Sequence, residues 1–220
     1  VVDQGVGPQG GTTETLQANS PGDWQLTAND VPYGYTGVQT FPDAQQLFNN
    51  WDSVNGGWVN CGTHCVDTPL NSLSTLTVTY RETSPTDADS IYEFAPDVWS
   101  DGYGSDVMFW VDTHGRCNTG AFGGTVLGHA VLGGQSWTVH RYGGFGAEVI
   151  FVLDGAGGSG TCAQQASGTI DIKAGFDWLV ANGFATGPQN ISQLNTGWEI
   201  TSADHTTFRV SGYSIQAVPK

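Results

Sequence analysis

Short runs of alternating apolar and polar residues, bounded by glycine and other turn formers, fill most of this chain. Residues 73–80 alternate cleanly, with Leu76, Val78 and Tyr80 on one face. Residues 105–112 alternate too. Residues 135–140 and 147–153 follow, joined through Gly143-Gly144, and residues 191–200 and 207–218 close the chain. Successive side chains of a strand point to opposite faces, so this alternation predicts strands with one buried face. Many short strands between tight turns predict a β-sandwich or jelly roll. One segment departs from the pattern. Between 170 and 182 the apolar residues Ile172, Phe176, Leu179 and Val180 fall at a helical period, and Asn182-Gly183 supplies the stop. The reading is therefore all-β with one late helix. Residues 155–160 read as a flexible loop. No linker or internal repeat interrupts the chain, so residues 1–220 are taken as one domain.

Composition agrees with this and narrows the partners. Hydrophobic residues make up 38% of the chain, enough for a core, and the 32 glycines suit many tight turns. Net charge is −15 with six Lys and Arg in all, which argues against nucleic acid and against anionic membrane surfaces, since both need clustered cations. No run approaches the roughly 20 apolar residues of a membrane helix. A neutral ligand fits better. The eight Trp and seven Tyr provide faces that stack on sugar rings, although many such residues belong to cores. The acidic balance favours solubility, and a monomer is expected.

Four cysteines, Cys61, Cys65, Cys117 and Cys162, in a Lys-poor chain point to an oxidising compartment. Three pairings are possible, of which Cys61–Cys65 with Cys117–Cys162 is favoured. A zinc site from Cys61, His64 and Cys65 lacks a matching second pair, so no metal is expected. Val1-Val2-Asp3-Gln4 is not a signal peptide, and a secreted chain is expected to have lost its leader.

The chemistry concentrates on three strands. In the segment from Asp106 to Asp112, Asp106, Met108, Trp110 and Asp112 share one parity, and Val107, Phe109 and Val111 share the other, core-facing one. An acid beside Met and Trp on the non-core face suits a ligand cleft. Glu93, Asp97 and Trp99 share a parity on the preceding strand. Asn195, Gly197 and Glu199 share one on the late strand, with Leu194, Thr196 and Trp198 opposite. Three strands thus bring carboxylates into one trough. Paired carboxylates across a trough are what glycoside hydrolysis requires, one acting at the anomeric carbon and the other protonating the leaving oxygen.

These residues resemble glycoside hydrolase family 12, the small jelly-roll endoglucanases and xyloglucanases. Phe94-Ala95-Pro96-Asp97-Val98-Trp99 is similar to its Ala-Tyr-Asp-hydrophobic-Trp strand. Asp106-Val107-Met108-Phe109-Trp110 is similar to its Glu-hydrophobic-Met-hydrophobic-Trp nucleophile strand. Gly134-Gln135-Ser136-Trp137-Thr138-Val139 resembles its Gly-x-x-Trp-x-Val strand. Asn195-Thr196-Gly197-Trp198-Glu199 resembles its Gln-x-Gly-x-Glu acid/base strand. The resemblance runs from about Phe41 onward. It implies a two-sheet antiparallel jelly roll of the concanavalin-like kind, with one short helix packed on it and an open concave cleft. It also implies secreted, endo-acting, retaining hydrolysis of a β-1,4-glucan, xyloglucan or mixed-linkage glucan, without a cofactor. By position Glu199 is the general acid/base, Asp106 takes the nucleophile's place, and Asp97 assists it. Met108 and Trp110 line the sugar subsites, with Glu93, Trp99 and Asn195 beside them.

One departure changes the chemistry to be tested. The family has Glu where this chain has Asp106. Retaining enzymes hold their carboxyls about 5–5.5 Å apart and inverting ones about 6.5–9.5 Å apart, so one lost methylene matters. Asp106 is then a nucleophile on a compensating backbone, a base for an admitted water, or a remnant in a sugar-binding jelly roll. A glycosidase for a different polymer is a further alternative. The family's first-strand signature is also missing. Trp24, in Asn19-Ser20-Pro21-Gly22-Asp23-Trp24, is the nearest candidate platform for a distal sugar, with Trp51 and Trp58 as alternatives or plain core. The five His residues read as surface or loop positions, Asp112 as exposed, and Trp198 as core packing beneath Glu199. No Gly-x-Ser-x-Gly elbow occurs, and the Gly pairs lack the Lys and helix of a phosphate loop.

Overall fold

A computed structural model describes residues 1–6, 13–29, 31, 38–58, 62–115, 124–143, 148–155, 158–186 and 189–220. In chain order the strands are β1 (Val2–Val6), β2 (Thr13–Ser20), β3 (Asp23–Asn29), β4 (Thr40–Leu47), β5 (Trp51–Asp52), β6 (Cys65–Val66), β7 (Thr68–Pro69), β8 (Leu73–Thr83) and β9 (Ile91–Ser100). They continue with β10 (Ser105–Trp110), β11 (Asp112–His114), β12 (Thr125–Leu132), β13 (Gln135–Arg141), β14 (Val149–Gly155), β15 (Gly158–Cys162) and β16 (Ser167–Asp171). The helix α1 (Ile172–Ala181) precedes β17 (Asn190–Ser202) and β18 (Thr206–Pro219).

The strands form a sandwich. The larger sheet runs β1-β4-β17-β9-β10-β14-β13-β12, and the smaller runs β16-β8-β18-β3-β2. Their facing sides interlock through one apolar core. Leu76, Val78 and Tyr80 of β8 are buried there as their alternation predicts, together with Phe94, Val107, Phe109, Val139 and Phe151 from the larger sheet. Among the described residues, all pairings in the two large sheets are antiparallel except one. β10 and β14 run parallel, with Met108 beside Ile150 and Trp110 beside Val152. The expected two-sheet jelly roll thus contains one parallel contact.

The helix lies where its period placed it, trimmed by two residues at its start, because 167–171 join β8 as a strand first. Asp171 caps it, its carboxylate accepting from the Ala174 N–H at 2.9 Å. Gly175 lets the helix settle on the core, since a Cβ there would stand 2.6 Å from the Phe109 ring. Residues 155–160 are not a plain loop, for Gly158 returns to pair with Gly155 as β14 meets β15.

Candidate active site

The larger sheet turns one face to the core and the other to a cleft. Three strands set the cleft floor in register. Asp106 lies opposite Trp99, and Met108 opposite Asp97. On the other side of β9, Asn195 lies opposite Asp97, Gly197 opposite Ala95, and Glu199 opposite Glu93. Every one of these alternates with a core-facing neighbour, so the parity reading of the sequence holds for these residues on all three strands. A cavity of about 220 Å³ opens over part of this floor, lined by Phe41, Asp43, Asp97, Trp99, Asn195 and Glu199 among others, with Asp106 and Glu93 outside its lining. Beneath it Ala95, Met108, Trp110, Ile150 and Val152 form a small apolar cluster of their own, separate from the main core. This cluster stiffens the floor from which the carboxyls project.

Gly197 is required by close packing. A Cβ there would stand 2.0 Å from the Pro42 carbonyl oxygen and 2.6 Å from the Asp43 Cα. Only glycine lets β4 approach β17 in this way, which brings Phe41 and Asp43 to the cleft two positions from Glu199.

The electrostatics of the floor are unusual. Asp97 and Asp106 hydrogen-bond each other, which requires a proton between two carboxyls. Burial, reinforced by Asp106 and by the charge of Glu199, pushes Asp97 well above the ordinary carboxylate range. Burial raises Asp106 as well, while the hydrogen bond from Asp97 works the other way. Of the two, Asp97 is the one pushed toward holding the proton, with Asp106 as its acceptor. The Trp99 indole N–H donates to the other Asp97 oxygen at 3.0 Å, fixing its orientation.

A fourth carboxyl joins them. Glu148 stands one step before β14, where the parallel register puts it beside Asp106, and its backbone oxygen accepts from the Tyr142 N–H at 2.9 Å. Burial, then the charges of Asp106 and Glu199, raise it to about 7. Sequence reading missed this residue. Its parity with Ile150 and Val152 was visible, but nothing in the sequence shows that β14 lies parallel against β10.

At one end of the floor Trp99 and Tyr103 pair with ring centroids 6.2 Å apart. Tyr103 is 49% exposed, and it sits in a turn where Asp101, Gly102 and Tyr103 all have positive φ. Its hydroxyl donates to Gln193, whose amide donates to Asn195 at 2.6 Å. Tyr103 is a second residue that alternation did not single out, because it lies in a turn.

Several sequence expectations fall elsewhere. Trp24 is 2% exposed and packs edge-on against Trp198 at 5.2 Å between the sheets, so it presents no face to a sugar. Trp51 is core and Trp58 packs against it. Asp112 is not exposed. One extra residue between β10 and β11, at Val111, reverses the parity and turns Asp112 inward, 6% exposed, to hydrogen-bond Glu82. His140 is not a surface residue either. It is 1% exposed on the cleft side of β13, neither ring nitrogen meets a partner among the described residues, and burial lowers its pKa. Glu93 shares the cleft face but neighbours Glu199, not Asp106, and is almost wholly buried. Trp198 is core beneath Glu199, as expected. Cys65 is disulfide-bonded. Cys61 and Cys117 lie outside the described residues, as does the side chain of Cys162, so the pairing stays an expectation.

The fold and the cleft define a two-sheet jelly roll with a carboxyl-lined floor on its larger sheet. Solved structures share this architecture along nearly the whole chain. The xyloglucanase domain of NopAA, a type three effector from Sinorhizobium fredii solved with cellobiose, superposes with a TM-score of 0.75 at 18% identity, covering 98% of this chain and 92% of that one. A family 12 xyloglucanase from Bacillus licheniformis gives 0.70 at 17% identity, covering 97% and 89%. Endoglucanase cel12A from Rhodothermus marinus gives 0.66 at 17%, covering 89% and 82%. The chain therefore has the family 12 glycoside hydrolase fold. No protein-family model matches the sequence, and no curated protein matches it.

Proposed function

We propose that this protein is a secreted, endo-acting glycoside hydrolase of β-linked glucans, working through Glu199 as general acid/base and Asp106 as nucleophile. The observation that carries the reading is the Asp97–Asp106 pair. A proton held on Asp97 leaves Asp106 charged in a half-buried cleft, which is the state a nucleophile needs. Glu199 protonates the leaving glycosidic oxygen as Asp106 attacks the anomeric carbon, then takes a proton from the water that releases the sugar with retention. The missing methylene of Asp106 is met by a rigid floor, since Met108 and Trp110 on the same face are locked in the apolar cluster. Trp99, Tyr103 and Asn195 contact the sugar chain at one end of the cleft. The neighbours' names as xyloglucanases and endoglucanases support a glucan backbone, and cellobiose bound in one of them supports a β-1,4-linked chain. The chain acts as a single-domain monomer without a metal, and its cysteines pair as Cys61–Cys65 and Cys117–Cys162.

The test is a panel of soluble β-glucans, xyloglucan and mixed-linkage glucan, assayed for new reducing ends and by NMR for the anomer first formed. Glu199→Gln is expected to lose about a thousandfold or more in turnover while still binding the polymer. Full turnover in that variant, or no reducing ends from the unaltered protein on any of the polymers, overturns the reading.

A further inference from the structure

The turn between β9 and β10 is held from outside by two other segments. The Gly102 N–H lies 3.1 Å from an Asp67 carboxylate oxygen and 3.2 Å from the Ser192 hydroxyl, and Ser192 in turn donates to the same Asp67 oxygen. The Asp101 carboxylate accepts from the Asn190 N–H at 3.0 Å, and the Asp101 N–H donates to the Asn190 carbonyl at 2.7 Å. These bonds sustain the left-handed backbone of Asp101 and Tyr103, which neither residue adopts freely. The pinned turn presents Tyr103, half exposed, beside Trp99.

From Tyr103 a chain of side chains runs back into the floor. Its hydroxyl donates to the Gln193 Oε1 at 3.0 Å, and the Gln193 Nε2 donates to the Asn195 Oδ1 at 2.6 Å. Gln193 lies opposite Trp99 in the sheet, and Asn195 lies opposite Asp97. The direction of the chain follows from the chemistry of a carboxamide, which has one acceptor end and one donor end. Tyr103 engages the acceptor end of Gln193, so the donor end turns to Asn195. The Asn195 carbonyl oxygen is thereby occupied, and its Nδ2 is the half of the amide left to the cavity that Asn195 lines. An Asn195 amide turned over would set one NH2 group against another. That is costly at a residue only 8% exposed.

We propose that Tyr103 and Gln193 are positioning residues that act through Asn195: their relay fixes the Asn195 amide as a hydrogen-bond donor to an oxygen of the glucan unit that lies against Trp99. The site then suits a neutral pyranose, with its apolar ring face on the aromatic pair and an oxygen at its rim for Asn195. The Tyr103 hydroxyl and the Gln193 amide are engaged by each other and do not touch the ligand. The proposal rests on the reading of this cleft as a glucan site.

The experiment is the binding of cellotetraose by titration calorimetry, with every protein carrying Glu199→Gln to suppress cleavage. Tyr103→Phe keeps the ring and removes the hydroxyl, and Kd should rise about three- to fivefold. Asn195→Ala should raise it about tenfold. The two together should match Asn195→Ala alone, because the relay then has nothing left to orient. A merely structural role for Tyr103 would weaken binding equally with and without Asn195. Gln193→Glu still accepts from Tyr103 but has no N–H for Asn195, whose NH2 then turns to the new carboxylate. Its Kd should rise as far as that of Asn195→Ala. The two relay variants break different bonds, so either one decides the matter if the other fails thermal melting as a folded protein. Unchanged affinity in Tyr103→Phe or Gln193→Glu overturns the proposal, as do effects of Tyr103→Phe and Asn195→Ala that multiply. If the Glu199→Gln protein binds cellotetraose and the relay variants bind it equally well, only this proposal fails. If the Glu199→Gln protein binds none, the glucan reading and this proposal fall together.

Discussion

Asp97 and Asp106 sit diagonally on neighbouring strands and hold one proton between their carboxyls. Asp97 is the donor because it is the more completely buried and because Trp99 pins its second oxygen. The donated hydrogen bond is the influence that opposes burial at Asp106 and favours its ionised form. Asp97→Ala removes it, so the Asp106 value should rise. A nucleophile must be deprotonated, and activity is then lost first at acid pH. The expected result is an acid limb moved up by about one unit, with kcat/KM at about pH 5 reduced roughly ten- to a hundredfold. Asp97→Asn keeps an N–H donor and should recover most of the loss. Equal damage from Asn and Ala would mean that Asp97 acts by charge or packing and not as a donor.

The shorter arm of Asp106 has its own consequence. If it attacks the anomeric carbon directly, Asp106→Ala leaves a gap that a small anion fills. Activity should fall by about a thousandfold or more, and sodium azide should restore part of it on a substrate with a good leaving group, yielding an α-glycosyl azide. Azide without effect, together with a first-formed α-anomer from the unaltered protein, would assign Asp106 as a base for water and the reaction as inverting.

Much of this cleft was legible because strand alternation is a local property. Asp106, Asp97 and Glu199 each share a face with neighbours that pattern alone assigns, and their order matched a known fold. What stayed hidden depended on non-local or irregular geometry. Glu148 needed the parallel contact of β10 with β14. Asp112 was misread because one inserted residue at Val111 flips every later side chain. Tyr103 sits in a turn of left-handed residues, where alternation says nothing. His140 was taken for surface because a lone histidine gives no sign of burial. Trp24 shares its residue type with sugar platforms, and its alternation with Leu26 and Ala28 is that of a core face.

The placement of Trp24 is open to a direct check. Its indole meets Trp198 inside the sandwich, so removing it is a core deletion. Trp24→Ala should cost about 3–5 kcal/mol of stability, read by urea denaturation, and Trp24→Phe distinctly less. The KM of whatever folded protein remains should stay within about twofold. A stable Trp24→Ala protein with a weakened KM would return Trp24 to the cleft.

A second carboxyl pair, Glu82 and Asp112, is buried on the inner side of the sheets and outside the chemistry. Burial raises Glu82 to about 8 and Asp112 in the same direction. Ser84 donates to Glu82 at 2.6 Å and accepts from the Trp198 indole at 2.8 Å, so the pair is tied to the strand that carries Glu199. Folded chains hold these protons more tightly than unfolded ones. Between the ordinary carboxylate range and about pH 8 the native state binds more protons, so its stability is complete below that window and falls as pH rises through it. Glu148 adds to the same trend. Glu82→Gln keeps a hydrogen-bond donor for Asp112 and removes one titration. Denaturation midpoints between about pH 5 and about pH 9 should then fall less steeply than in the unaltered protein, by up to about 1.4 kcal/mol per pH unit over the window. The variant should also be the more stable of the two at the alkaline end, because a buried pair of carboxylates is no longer forced to share a space with two charges. Parallel pH–stability curves for the two proteins would show that the Glu82–Asp112 pair does not hold its proton in the folded state.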